Sequence, residues 1–264
     1  MVLKKISQLS LAISMLFASQ HALAWGAMGH RVTGDIAEHY LSAQAKAQIH
    51  AILGVESLAE AATYPDDMRS SPEEFWQKTA NPWHYVTLKQ PHHYHAEDAP
   101  QQGDAVTALS KFTATLKDAN ASKEDKQLAL RFIVHIIGDL HQPLHVSDAA
   151  RNDKGGNTIK LKYFGHDSNL HKVWDSEMLD GTDLSFSELS GWLRKYIGKE
   201  ELAAWSSVSP QDWIRESSEL REKSYPAADE VSWDYSFQQM PVVKKRLQMG
   251  GVRIANYLNA VFAK

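Results

Sequence analysis

The chain contains no cysteine among its 264 residues. Disulfide bonds and thiolate zinc sites are therefore excluded, and any metal ion must be held by histidine, carboxylate or backbone groups. The chain also lacks an excess of positive charge, because its formal net charge is −4 at pH 7. A protein that grips nucleic acid through a broad basic surface is not expected from this balance. If the substrate carries phosphate, the attracting charge must come from elsewhere.

The chain has no apolar stretch long enough for a transmembrane helix, but its first residues have the pattern of a secretory signal. Lys4 and Lys5 form a basic end, residues 9–18 a short apolar core, and Ala22-Leu23-Ala24 an A-x-A cleavage site. We predict that residues 1–24 are a cleaved signal peptide. The mature domain is then residues 25–264, beginning at Trp25, and the protein is periplasmic or secreted with no membrane anchor.

The rest of the sequence predicts a mainly helical protein. Residues 159–163 alternate like a strand but are isolated, residues 63–71 read as a turn, and residues 90–102 form a polar loop. No repeat, low-complexity tract or linker divides the chain. We predict one all-α domain with at most a short β-hairpin, with helices up to residue 40 and over 43–53, 103–117, 123–140, 169–179, 187–196, 210–223 and 241–262.

Residues 132–145 form the most informative stretch. Its first half is almost entirely apolar, which is typical of a helix buried on most sides. His135 and Asp139 lie four residues apart within it and therefore share one helix face. A buried aspartate must be paired or bind a metal, because an isolated charge in a low dielectric is very costly. Pro143 ends the helix, and His145 follows in the turn.

A second helix repeats this pattern with His171 and Asp175. A single histidine in an apolar run is more often a hydrogen-bonded core residue than a ligand, and an aspartate near a helix start is usually a cap. Two His-x-x-x-Asp pairs in apolar surroundings are harder to explain in that way. Imidazole and carboxylate ligands without thiolate suit a catalytic zinc site.

Six motifs occur in a fixed order: Trp-Gly-x-x-Gly-His (25–30), Pro-Asp-Asp-x-Arg (65–69), Trp-His-Tyr (83–85), His-x-x-Gly-Asp-x-x-Gln-Pro-x-His (135–145), Gly-Gly-Asn (155–157) and Asn-Leu-His-x-x-Trp-Asp (169–175). With these motifs the chain resembles the secreted, trinuclear-zinc, single-strand-specific nucleases of the S1/P1 type, over nearly the whole mature length. The lack of cysteine differs from the disulfide-bonded fungal and plant members and indicates a bacterial type. The resemblance implies the helical fold that these nucleases share with zinc phospholipases C.

The resemblance also implies three zinc ions and their ligands. One ion would be held by Asp66, His84, His135 and Asp139, and a second by the amine and carbonyl of Trp25 with His30 and the bridging Asp139. The third would be held by His145, His171 and Asp175. An α-amino group titrates near neutrality and can bind a metal as a neutral ligand, which requires cleavage directly before Trp25.

The implied function is hydrolysis of single-stranded DNA and RNA to 5′-phosphonucleotides by a zinc-bound hydroxide, with dephosphorylation of 3′-nucleotides as a second activity. The zinc ions would supply the charge that attracts phosphodiesters. Asp66 and Asp139 would be catalytic as ligands, and Arg69 would neutralise charge on the phosphoryl oxygens, although a salt bridge to Asp66 or Asp67 is nearly as good an explanation. Tyr85 would stack on an unpaired base, although core packing is its ordinary role. Asn157 would line the same pocket.

Two other functions remain open at this point. A zinc phospholipase C would share the fold, but Asp175 stands where that family has a glutamate, and the Trp-to-His spacing at positions 25–30 is short. A secreted metal-binding protein would hold zinc without turnover. No obligate protein partner is evident. His92, His93 and His95 lie in the polar loop and are expected to be solvated, and His141 points away from the face of His135 and Asp139.

Overall fold

The structure is a computed structural model that describes residues 25–263. The predicted signal peptide lies outside the described residues. None of the helices in the described part of the chain combines the length and hydrophobicity that a membrane span requires. In chain order the α-helices are α1 (Ala27–Tyr40), α2 (Ala43–Leu53), α3 (Leu58–Ala61), α4 (Tyr64–Asp67), α5 (Ala105–Lys117), α6 (Lys123–Asp139), α7 (Leu170–Lys172), α8 (Met178–Asp180), α9 (Phe186–Arg194), α10 (Lys199–Ala204), α11 (Pro210–Arg221) and α12 (Trp233–Val261).

Two small sheets and several tight helical turns connect these helices. The sheets contain β1 (Val86–Leu88) paired in parallel with β2 (Val146–Asp148), and β3 (Lys160–Tyr163) between antiparallel β4 (His166–Asn169) and parallel β5 (Glu230–Val231). The 3-10 turns are Met68–Ser70, Asn81–His84, Ala96–Asp98 and Pro143–His145, and the π turns are Phe75–Thr79 and Val173–Glu177. The mainly helical prediction is confirmed, and the one predicted hairpin is extended by β5 and accompanied by the parallel pair.

Helix α6 is buried along its second half. Ser122 caps its first turn by accepting a hydrogen bond from the N–H of Asp125, and the acidic Glu124 and Asp125 suit the positive end of the helix dipole. Every residue from Phe132 to Asp139 is buried. The apolar run therefore forms the deeply buried helix that the sequence predicts, and it carries His135 and Asp139 into the interior.

Helix α12 packs closely on α1 and contributes to both hydrophobic cores. Val243 and Leu247 belong to one core, and Ile254 and Leu258 to the other. At Gly251 a Cβ atom would lie 2.5 Å from the Cβ of Ile36 in α1. The glycine pair at 250–251, which weakens an isolated helix, therefore permits a close approach of the two helices.

Three local predictions are wrong. The last helix begins at Trp233 and contains Pro241 in its interior. The first turns of this helix do not show the periodic pattern of buried apolar residues, because Trp233 and Phe237 are exposed. The sequence predicts a start at Pro241 instead, because proline is typical of a first helical position. Helices α3 and α10 were not predicted, and residues 63–71, expected to be a turn, form α4 followed by a 3-10 turn.

Candidate metal centre

The end of α6 presents a histidine and a carboxylate to each other. His135 and Asp139 are fully buried, and His135 Nε2 lies 3.1 Å from Asp139 Oδ2. The other ring nitrogen, Nδ1, lies 2.7 Å from the carbonyl oxygen of Ala62 and, as an N–H, donates to it. That bond fixes the imidazole so that Nε2 faces the carboxylate, as in histidines that bind metals.

Helix α1 brings His30 to the opposite oxygen of the same carboxylate. His30 Nε2 lies 3.2 Å from Asp139 Oδ1, and the His30 ring stacks on His135 with centroids 3.9 Å apart. A Cβ on Gly138 would lie 3.3 Å from His30 Nδ1, so glycine leaves room for this ring. The two oxygens of Asp139 thus face different histidines.

Asp66 and His84 complete this side of the cluster. Asp66, at the end of α4, has an oxygen 3.6 Å from His84 Nδ1 and another 3.9 Å from His30 Nε2. His84 ends a 3-10 turn, and its Nδ1 lies 3.5 Å from Asp139 Oδ2. Four elements that are distant in sequence, two long helices and two short turns of helix, therefore converge on one point.

His145, His171 and Asp175 form a second, adjacent cluster. His145 Nδ1 lies 2.7 Å from the carbonyl of His84, and His171 Nδ1 lies 2.6 Å from the carbonyl of Gly155, so both rings turn Nε2 toward Asp175. His171 Nε2 is 2.9 Å from Asp175 Oδ2, and His145 Nε2 is 3.7 Å from Oδ1. His145 Nδ1 also lies 3.8 Å from Asp139 Oδ1, which connects the clusters.

The pKa shifts of Asp139 and His145 show that the buried carboxylates are stabilised by nearby positive charge. Burial opposes ionisation of Asp139, but His135 and His145 hold its pKa well below the ordinary value. Burial lowers the pKa of His84 to about 4. Burial also opposes the charge of His145, but Asp139 and Asp175 raise the pKa of this histidine to about 9. A divalent cation would supply the same compensation while leaving the imidazoles neutral, the form that binds metal.

The buried donor atoms fit a metal ion. Both ring nitrogens of His30, both oxygens of Asp139, His145 Nε2 and Asp175 Oδ2 are buried without a hydrogen-bond partner. Buried polar atoms are almost always bonded, so six such atoms in two adjacent clusters, turned toward one another, fit a shared cation as their partner. Imidazole nitrogen and carboxylate oxygen are the ligands that catalytic zinc uses.

Three groups of candidate ligands have donor atoms within 4.8 Å of one another. They are His30 with Asp66 and His135, His84 with His135 and Asp139, and His145 with His171 and Asp175. The third group coincides with the predicted third set. The other two groups contain residues of the first and second predicted sets but combine them differently. In the structure His30 lies near Asp66 and His135 as well as near Asp139.

Trp25 lies beside the second cluster. Its side chain is fully buried, and the N–H of the next residue, Gly26, donates to the carbonyl of Asp175 at 2.8 Å. A Cβ on Gly29 would lie 2.9 Å from the Cβ of Trp25, so glycine lets the first turn of α1 pack on this residue. The role of the Trp25 amine as a ligand stays a prediction.

A cavity of about 450 Å³ opens next to the clusters. Its lining includes the three residues predicted to bind substrate, Arg69, Tyr85 and Asn157. Arg69 Nη1 is 3.4 Å from an oxygen of Asp66. Arg69 therefore forms the salt bridge to Asp66 and lines the cavity at the same time. Tyr85 is 38% exposed although its neighbour His84 is buried, which excludes core packing as its main role.

Several lining residues were not found from the sequence. Ser147, Asp148 and Lys154 also line the cavity. Ser147 faces Thr87 because β1 and β2 pair in parallel, and their hydroxyl oxygens are 2.9 Å apart. Short strands far apart in the chain give no local signal for such a pairing. In the sequence, only the glycine pair at 155–156 indicates that Lys154 lies in a loop.

The histidines that were not expected to bind metal lie elsewhere. Of the three in the polar loop, only His93 is exposed as expected; His92 and His95 are half-buried, because the loop packs on the protein. His92 Nδ1 lies 2.8 Å from the hydroxyl of Ser218, and His95 lies near Glu97. His141 is fully buried, with Nδ1 2.7 Å from the carbonyl of Ile137 and Nε2 3.1 Å from Arg253. It supports the end of α6 and does not join either cluster.

Comparison with known proteins agrees with the geometry. The S1/P1 nuclease family model matches residues 25–263. The chain is 28% identical to Endonuclease 2 of Arabidopsis thaliana over 283 residues, which cover 96% of this chain and 95% of that protein. It is 33% identical to Nuclease P1 of Penicillium citrinum over 203 residues, 72% of each chain. The chain therefore belongs to the S1/P1 nuclease family, whose members hydrolyse phosphodiester bonds of nucleic acids.

Proposed function

We propose that the mature chain is a secreted, zinc-dependent endonuclease. It hydrolyses the phosphodiester bonds of single-stranded DNA and RNA to 5′-phosphonucleotides, with 3′-nucleotidase activity as a second reaction. The observation that carries this proposal is the group of unpartnered histidine and aspartate atoms, buried next to a cavity lined by Arg69 and Tyr85.

Three zinc ions would be held by the residues of the two clusters. Asp66, His84, His135 and Asp139 would hold one, and Trp25, His30 and Asp139 a second. His145, His171 and Asp175 would hold the third. Sharing of Asp139 is supported by its two oxygens, since Oδ1 faces His30 and Oδ2 faces His135.

The side chains around the metal centre would orient the phosphate. Bound zinc supplies positive charge that polarises phosphoryl oxygens and brings the pKa of water toward neutrality. Arg69 is anchored by Asp66 and by the side-chain oxygen of Asn81, each at 3.4 Å, and reaches the cavity. From there its guanidinium can donate to phosphoryl oxygens as their charge grows.

The cavity wall would select unpaired bases. Tyr85 offers a partly exposed ring next to the metal ligands, and base–aromatic stacking contributes about 1–3 kcal/mol per base. Asn157 is held by a hydrogen bond from Nδ2 to the carbonyl of Lys154 at 2.8 Å, and lines the same cavity. A base in a duplex must first be unstacked and unpaired, at a cost of a few kcal/mol.

Secretion would complete the site. Removal of residues 1–24 would convert the peptide nitrogen of Trp25 into a free amine, and the domain 25–264 would then act in the periplasm or outside the cell. Trp25 is buried, and the N–H of Gly26 donates to the carbonyl of Asp175, which supports a place for the Trp25 backbone at the metal centre.

The test compares three substrates with zinc-loaded protein that begins at Trp25: a single-stranded oligonucleotide, the same sequence as a duplex, and phosphatidylcholine. We expect the single strand to be cut about 100-fold faster than the duplex, because unpairing costs about 3 kcal/mol. Lipid turnover without oligonucleotide cleavage would identify a phospholipase C and overturn the proposal. Zinc binding without any turnover would identify a metal-binding protein.

Tyr85 provides a matched pair of variants for the same assay. Tyr85→Phe keeps the ring and should retain the KM for the single strand. Tyr85→Ala removes the ring and should raise KM about 10-fold. Equal KM values for the two variants would remove base stacking at this position from the account.

A further inference from the structure

Gln142 is a fully buried polar residue directly after α6. Its backbone N–H donates to the carbonyl of Asp139 at 2.9 Å, and its carbonyl accepts from the N–H of His145 at 3.0 Å. The residue therefore joins, through its main chain, two predicted ligands that belong to different clusters.

The Gln142 side chain contacts a third predicted ligand. Its oxygen accepts a hydrogen bond from the N–H of Leu144, and its Nε2 donates to Asp175 Oδ1. Asp175 Oδ2 remains without a hydrogen-bond partner and lies 2.9 Å from His171 Nε2. One oxygen of Asp175 is thus bonded to the amide, and the other faces the histidine.

The chemistry of an amide suits this position. A neutral donor fixes the carboxylate torsion without adding charge, so Asp175 stays available as an anionic ligand. A lysine or arginine there would place a competing cation next to the ion. Hydrogen-bonding partners of metal ligands commonly change metal affinity about 10–100-fold when they are removed.

We propose that Gln142 is a positioning residue for the ion held by His145, His171 and Asp175. Its amide holds Asp175 so that Oδ2, the oxygen that faces His171, is presented to the ion, and its backbone couples that site to Asp139. This inference rests on the proposed function, because it requires zinc at this cluster.

The experiment measures zinc affinity by competition with a chelator, together with thermal unfolding of the metal-free proteins. Gln142→Met keeps the length and removes both side-chain hydrogen bonds. Gln142→Asn keeps an acceptor for the N–H two residues ahead, as asparagine does in turns, but is too short to reach Asp175. Both variants should hold one zinc ion, the one proposed to lie at His145, His171 and Asp175, about 10–100-fold less tightly than wild type.

Ser217→Ala is the structural control. Its hydroxyl donates to the carbonyl of Leu140 at 2.6 Å, at the same helix end, but touches none of the predicted ligands. This variant should lose thermal stability and keep its zinc affinity.

Two results would overturn the inference. Wild-type zinc affinity in Gln142→Asn would show that only the turn cap matters, and equal zinc loss in Ser217→Ala would show a general effect of stability. If wild type itself bound no zinc or cut no single strand, the proposed function would fail before the variants are compared.

Discussion

At the scale of single residues, the centre depends on how each ring is turned. His135, His145 and His171 each place Nδ1 on a backbone carbonyl, so that Nε2 faces a carboxylate. The i, i+4 spacing predicts that His135 and Asp139 meet, because it places both on one helix face. The orienting carbonyls and the amide of Gln142 could not be predicted, since they come from segments whose proximity only the fold creates.

Lys154 is a residue whose function the cavity suggests. It is exposed, lines the cavity, and pairs with no carboxylate among residues 25–263. Its loop is fixed by Asp153, which accepts from the N–H of Gly156 and from the hydroxyl of Tyr225. We therefore expect Lys154 to contact a phosphate of the bound strand away from the cleaved bond.

Lys154→Gln tests this expectation through salt dependence. The negative slope of log affinity for a single-stranded oligonucleotide against log salt should become less steep by about 0.7, the value for one lost phosphate contact on a single strand. Lys46→Gln, at an exposed position on α2, should leave the slope unchanged. Identical slopes for wild type and Lys154→Gln would exclude the contact.

At the scale of elements, α6 packs mainly against α5 and α12, with α1, α3 and α4 on its other sides. The buried half of α6 was predicted from its apolar run, and the start of α12 was not, because Trp233 and Phe237 face solvent. The function of the glycine pair in α12 was also not predictable, since it depends on the partner helix. Helical periodicity thus identifies faces that meet a core but not the distance between helices.

Gly251→Ala tests the close approach of α12 to α1. Alanine gains about 1 kcal/mol of helix propensity over glycine. Its Cβ would lie 2.5 Å from the Cβ of buried Ile36, and overpacking of a core costs about 1–3 kcal/mol. We expect a net loss in the free energy of unfolding. At Gly250 the nearest atom would be 3.3 Å away, so Gly250→Ala should be close to neutral.

An ion-pair network of two buried arginines and a partly buried glutamate joins α11 and α12 to the residues that follow α6. Glu216 pairs with Arg246 at 3.0 Å and with Arg253 at 2.5 Å. Arg246 donates to the carbonyl of His141 at 2.9 Å. Burial lowers the pKa of Arg246 to about 10, so it remains charged at neutral pH and needs its carboxylate.

Glu216→Gln should therefore lower the free energy of unfolding by about 2–3 kcal/mol, because removing one partner leaves buried charge uncompensated. Burial raises the pKa of Glu216, but Arg253 and Arg246 lower it below the ordinary 4.5. The stabilisation is thus complete above about pH 4.5 and is lost as pH falls through the folded pKa. Urea unfolding of the metal-free proteins at several pH values measures both effects.

Glu219→Gln is the control for that prediction. Glu219 pairs with Arg215 on the same helix, and both side chains are about half exposed. Exposed pairs contribute about 0–1 kcal/mol, so this variant should unfold almost like wild type at every pH. A Glu216→Gln protein as stable as Glu219→Gln would contradict the structural role of the network.

At the scale of the whole molecule, the fold collects ligands from well-separated parts of residues 25–175 around the end of α6. Trp25 and His30 come from the beginning of the described chain, and Asp66 and His84 come from α4 and the turn Asn81–His84. Helix α6, the turn Pro143–His145 and the segment 170–180 supply the others. Neither the mild net acidity nor the lack of a basic surface opposes a phosphodiester substrate, because the charge would be supplied at the centre itself.

A protein with one extra residue before Trp25 should lose part of its zinc. Its Trp25 nitrogen would be an amide, which does not bind zinc as a neutral amine does, so the second ion would lose a ligand. Elemental analysis after dialysis should find about one ion fewer than in protein that begins at Trp25. The same zinc content and full nuclease activity would remove the Trp25 amine from the site.

The most direct test of the account is the zinc content of the mature protein that begins at Trp25. The unpartnered atoms of His30, Asp139, His145 and Asp175 predict that these residues hold metal. Elemental analysis after extensive dialysis should find close to three zinc ions per chain, and their removal should abolish cleavage of a single-stranded oligonucleotide. One ion or none, or cleavage that persists without zinc, would contradict the account.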